Sequence, residues 1–144
     1  MKKNDVINAV KRLERAGSEY SRVTQKLYEA AREVATFIEN QVPVGVKLPR
    51  GYYVKRIYSN ISSEKFLCRD MVGENGLETC YIDGIGGYLH GDFRCCIPRQ
   101  NRTAILKFAE DIANGLLDEI AEWLEARTAK TNDSIKIFEG VKKK

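Results

Sequence analysis

Histidine is almost missing from this chain: His90 is the only one. That withholds the commonest general base and the commonest metal ligand from every other position. Cysteine is no better placed for metal. Cys68, Cys80, Cys95 and Cys96 form no C-x-x-C pair, and the adjacent Cys95 and Cys96 project to opposite faces if they lie on a strand. A zinc site needs about four ligands at loop-like spacing, so no metal is expected and the cysteines read as reduced thiols, structural or incidental. No run approaches the roughly 18 apolar residues of a membrane span. The N-terminus MKKNDVINAV turns polar too soon for a signal peptide. A cytoplasmic protein without membrane contact is the expectation. No internal repeat or low-complexity segment is visible.

What is present has the make-up of a soluble globular protein, 43% hydrophobic and 31% charged over 144 residues. That length predicts a single domain, 1–144, able to bury a sizeable core without staples. The net charge is +4, and its distribution says more than its size. Residues 41–103 carry 9 basic and 6 acidic side chains and residues 129–144 carry 5 and 2, whereas 104–128 carry 2 and 6. A local anion site fits this pattern better than a general nucleic-acid surface.

Residues 4–40 predict one long helix. Val6, Val10, Leu13, Gly17, Tyr20, Thr24, Leu27, Ala31, Val34 and Ile38 follow a 4-3-4-3 spacing, and a flanking row of Ala9, Ala16, Val23, Ala30 and Phe37 repeats every seven residues. Such a helix spans about 55 Å at 1.5 Å per residue, against roughly 30 Å for a compact domain of this size. The excess length needs a partner, and a second copy is the economical one, so a dimer or dimer-based homo-oligomer is expected. Pro43, Gly45, Pro49 and Gly51 end the period. YYVKRIYSNI, KFLCRDMV and LETCYIDG then read as strands, with ENG at 74–76 as a hairpin turn and YLH and FRCCI as further short strands. The expectation is an antiparallel meander of four or five strands over 50–98. A second helix is expected at 101–127, N-capped by Asn101 and weakened at Gly115, where it can kink, then a frayed basic tail at 129–144. Helix, antiparallel sheet and helix in that order make an α+β fold.

The stretch GIGGYLHGDFRCCIPR, residues 84–99, holds the one histidine and a run of glycines. From Gly84 the run lacks the third glycine of a dinucleotide fingerprint, and from Gly86 it is followed by Asp-Phe where a P-loop has Lys and Ser or Thr. Gly84, Gly86 and Gly87 suit a wide turn that can hinge as a lid. His90 and Asp92 share a face if they lie on a strand, yet no nucleophile with a base and an orienting group accompanies them. Glu110, Asp111, Asp118, Glu119, Glu122 and Glu125 read as a solvated helix face. Catalysis is the weaker reading: no catalytic residue and no cofactor is assigned.

What remains is arginine interleaved with aromatics. Tyr52, Val54, Arg56 and Tyr58 alternate onto one face of the first strand, Tyr88 and Phe93 flank the glycine turn, and Arg94, Arg99 and Arg102 lie beyond it. Arginine holds phosphate through a bidentate fork and a neighbouring ring stacks on a base. Arg56, Tyr88, Phe93, Arg99 and Arg102 are therefore the candidate ligand-binding residues for a small phosphorylated nucleotide. The plainer alternative has Tyr52, Tyr58 and Phe93 in the core and the arginines in surface pairs.

The order helix, sheet, helix, with GGYLHGDFRCCIPR running into NRTAILKFAEDIANGLLDEIAEWLE, resembles the phage anti-Thoeris sponge family. The resemblance is one of architecture. It implies an anti-defence protein of the host-cell cytosol that sequesters cyclic ADP-ribose isomers, or in some members cyclic oligonucleotides, without cleaving them. It also implies oligomers built from dimers, with pockets between protomers lined by arginines and aromatics. The alternative is an anti-CRISPR-like inhibitor that meets a protein or nucleic-acid partner through its basic sheet surface and tail.

Overall fold

Gly17 is the poorest helix former in the apolar period of residues 4–40, yet a single helix, α1, runs unbroken from Lys3 to Gln41. It stops because Pro43 follows: Val42 takes φ −122°, ψ 150°, the extended state that a residue before proline prefers. A short 3-10 turn at Pro49–Gly51 then leads into β1 (Tyr52–Tyr58), β2 (Ser63–Gly73) and β3 (Gly76–Tyr81). Helices α2 (Arg102–Ala113) and α3 (Leu116–Lys142) complete the chain. The computed structural model describes residues 2–58, 63–73, 76–82 and 102–143.

The strands form an antiparallel sheet in the order β1-β2-β3, with Val54 opposite Leu67 and Cys68 opposite Tyr81. Gly73 pairs with Gly76, so β2 and β3 run antiparallel up to residues 74 and 75, which lie outside the described residues. Tyr52, Val54 and Leu67 share the helix-facing side and pack with Ala35 and Ile38 of α1, Phe108 of α2, and Leu116 and Ile120 of α3. Burying a leucine such as Leu67 contributes about 2 kcal/mol. Phe66 and Cys68, on the opposite side of β2, are buried too, which accounts for the unbroken apolar run FLC in the central strand.

A buried carboxylate sits where β3 ends. Ile82 donates its N–H to Leu67 O at 2.9 Å, and the matching Leu67 N–H donates to Glu39 Oε1 at 2.6 Å. Lys65 Nζ donates to the backbone carbonyl of Glu39 at 3.3 Å. Glu39 thereby satisfies a strand donor that would otherwise be orphaned, and docks α1 on β2.

The architecture is α+β, with two corrections to the sequence reading. Among the described residues the sheet has three strands, and YLH and FRCCI, the further strands expected, lie outside those residues. The second helix is two, parted at Asn114 and Gly115, where Gly115 has φ 97° in the left-handed region open to glycine. And the basic tail is helical: α3 continues to Lys142. Its polar residues disguise a helix because their hydroxyls bond back one turn, Thr128 to Leu124 O at 2.9 Å and Thr131 to Arg127 O at 2.7 Å.

Candidate functional site

Two of the five candidate ligand residues fall within the described structure. Arg56 lies on β1, half-buried, on the side shared with Tyr52 and Val54, and pairs across the ladder with Lys65. Arg102 opens α2 and lays its guanidinium over the ring of Tyr20, 5.3 Å from the centroid. These two contacts do not join Arg56 to Arg102. Tyr88, Phe93 and Arg99 lie outside the described residues, as do His90, Asp92, Cys95 and Cys96.

Tyr20 is the residue that sequence reasoning placed differently. It belongs to the apolar stripe of α1, yet it is 56% exposed and faces the start of α2. A guanidinium stacked on a ring keeps its in-plane N–H groups pointing outward, the edge that grips a phosphate. No acidic side chain stands in the first turn of α2 to oppose an anion there. The pair lies where α1 parts from the body, at the inner end of a long exposed arm.

A second cluster, missed entirely, fills the junction between α2 and α3. Asp111 was assigned to the solvated acidic face; it is buried, because its place three residues after Phe108 turns it toward the sheet. The Tyr52 hydroxyl donates to Asp111 Oδ2 at 2.7 Å, and Arg50 Nη1 and Lys107 Nζ reach Oδ1 at 3.1 and 3.2 Å. Arg50 also grips Glu119 through Nε at 2.6 Å and donates from Nη2 to Asn114 O at 2.7 Å. Its cation thus meets a carbonyl at the end of α2 and a carboxylate in the first turn of α3, the favourable sign at each helix end. Arg50 holds φ 61° to do so, and its own carbonyl accepts from Arg69 Nε at 3.1 Å.

The electrostatics describe a lock. Burial pushes the Asp111 carboxyl up, but the hydrogen bonds from Tyr52, Lys107 and Arg50 outweigh it and hold the pKa below the ordinary carboxylate value. Burial, then the bond to Asp111, raises the Tyr52 phenol well above its usual range. Burial pushes the Cys68 thiol up to about 12. None of these three groups is poised to exchange a proton near neutral pH. Among the described residues no cluster of histidine, cysteine and carboxylates has the make-up of a metal site, and no helix is long and apolar enough to cross a membrane. The chain matches no protein-family model, no curated protein and no solved structure.

Proposed function

We propose that the protein is a non-enzymatic binder that sequesters a small phosphorylated nucleotide, a cyclic ADP-ribose isomer or a cyclic oligonucleotide, in an arginine and aromatic pocket between protomers. On this reading it is a phage-type anti-defence protein working in the host cytosol. The observation that carries it is the Arg102 guanidinium over the Tyr20 ring. The pair combines a forked cation for phosphate with a ring at the base of an exposed helical arm, where a second protomer closes the pocket. Arg56 supplies a second cation from β1, and Tyr88, Phe93 and Arg99 complete the set.

Tight retention of a ligand needs no catalytic group, which agrees with one histidine in 144 residues and with the saturated carboxylate of Asp111. The alternative, a macromolecular partner held on a basic sheet surface, is weakened by two internal contacts. Arg69 bonds Arg50 O and lies 5.7 Å over the Tyr52 ring, and Lys65 bonds Glu39 O. Both cations are partly buried and engaged within the fold.

The test is thermal shift of the intact protein with a panel of cyclic ADP-ribose isomers and cyclic di- and trinucleotides. A ligand at about 100 times its Kd stabilises the fold by about 2.7 kcal/mol, several degrees for a domain of this size. No shift with any member, alongside oligonucleotide affinity that falls steeply with salt, would transfer the assignment to the macromolecular reading.

A further inference from the structure

The linker that follows α1 and the middle of α3 enclose a cleft of about 300 Å³. Pro43 and Val46 form one wall; Trp123, Leu124, Arg127 and Asn132, on one face of α3, form the other. Both walls are fixed. Val42 and Leu48, on either side of the linker, are buried in the core, and Gly45 N–H donates to Val54 O at 2.8 Å. Trp123 and Leu124 pack against the same core. The cleft is therefore pre-formed, at the small end of the roughly 300–1,000 Å³ range of small-molecule sites.

Its polar groups are few and uncommitted. The Arg127 guanidinium lies over the Trp123 ring, 4.7 Å from the centroid, which holds it flat and leaves its in-plane N–H groups for an acceptor. The residues three and four positions away on the helix are Trp123, Leu124, Lys130 and Thr131, so no carboxylate stands where an intrahelical pair would form. Arg22, Arg50 and Lys107 each hold a carboxylate; among the described residues Arg127 holds none. Thr128 and Thr131, which also line the cleft, spend their hydroxyl protons on Leu124 O and Arg127 O. Arg127, the Asn132 amide and the Trp123 indole N–H are the side-chain donors left to a ligand.

We propose that this cleft binds a small free monocarboxylate, its apolar body against Pro43, Val46 and Leu124 and its carboxylate across the Arg127 fork, with Asn132 as a further donor. The planar carboxylate matches the guanidinium in a bidentate pair. Charge selects it over phosphate. Among the described residues only Arg127 brings a charge to the cleft, enough for one negative charge, whereas a phosphate monoester carries about −1.5 to −2 at neutral pH. The apolar wall would also leave the remaining phosphate oxygens without donors. The cleft contains none of Arg56, Tyr88, Phe93, Arg99 and Arg102, so it stands or falls apart from the nucleotide pocket.

Trp123 is the only tryptophan in the chain, so its fluorescence reports on this cleft alone. Titration of phenylacetate into the full chain is expected to change that emission saturably, with a Kd of about 1 mM or tighter, and to shift the indole N–H resonance. Phenylacetamide, of the same shape without the charge, and phenyl phosphate are each expected to bind at least ~10-fold more weakly. Arg127→Gln loses at least ~10-fold for phenylacetate; the position is exposed, the reporter stays in place, and circular dichroism checks that the helices persist. No change in either signal at ten times the expected Kd would overturn the proposal. So would equal binding of the amide or the phosphate, or unchanged affinity in Arg127→Gln. Tighter binding of an acetylated tripeptide ending in phenylalanine would replace the free acid with a chain end.

Discussion

Tyr52 and Asp111, 59 residues apart in sequence, meet through a 2.7 Å hydrogen bond in the core, phenol to carboxylate. The Tyr52 ring also packs on Phe108 with centroids 5.7 Å apart, so Tyr52→Phe removes the hydroxyl and keeps the packing. The bond runs to a charged acceptor, and its loss is expected to cost about 2 kcal/mol. Asp111→Ala leaves Lys107 and Arg50 short of their common acceptor, at about 3 kcal/mol or more. Urea denaturation of both variants checks the order. A Tyr52→Phe protein as labile as Asp111→Ala would show that the ring, and not the carboxylate network, is what the substitution disturbs.

Glu39 makes a separable prediction. Glu39→Gln retains a side-chain acceptor for Leu67 N–H and is expected to stay within about 1 kcal/mol of the parent. Glu39→Ala leaves that buried donor without its partner and costs about 1–3 kcal/mol. Amide hydrogen exchange reads the effect at its source, with the Leu67 amide losing protection in the alanine variant alone.

At the helix junction, Gly115→Ala isolates backbone conformation. A Cβ at this position meets nothing within 4 Å, so no clash contributes, and φ 97° is the whole difficulty. The expected loss is about 1 kcal/mol, seen as a few degrees in Tm. An unchanged Tm would mean that the junction relaxes to a right-handed turn.

Much of this was legible in sequence, for identifiable reasons. The apolar period of residues 4–40 fixes α1 to within a residue at each end because no competing signal interrupts it before Pro43. Gly115 announces the break in the second helix. Asp111 was not legible: five neighbouring carboxylates make the surface reading natural, and its partners Arg50 and Tyr52 lie 61 and 59 residues away. Nor was the helical tail, whose seam is half threonine and looks polar unless it is continued from Leu124. Tyr20 was read as stripe alone, since nothing local says that Arg102 covers it.

The pH dependence follows from two groups of opposite sense. Asp111 has its native pKa lowered, so its contribution is present above the ordinary carboxylate pKa of 3.8 and is lost as pH falls through its lower native value. Cys68 is raised from 9.0 to about 12, so its contribution is present below pH 9 and is lost as pH climbs toward 12. The stability difference between the parent and Cys68→Ala is therefore expected to narrow across pH 9 to 12. A constant difference would mean that the thiol ionises freely in the fold.

Sequestration requires that arginine and an aromatic ring hold the ligand intact. Isothermal titration of the stabilising cyclic nucleotide into the parent, Arg102→Ala and Arg56→Ala, followed by heat release and mass measurement of the bound ligand, tests it most directly. Either alanine variant is expected to lose at least ~100-fold in affinity, two lost charge-assisted bonds at about 1.5 kcal/mol each, with its oligomeric state unchanged from the parent, and the parent is expected to return the nucleotide unchanged. Unchanged affinity in both variants would contradict the site, and a chemically altered nucleotide would contradict sequestration.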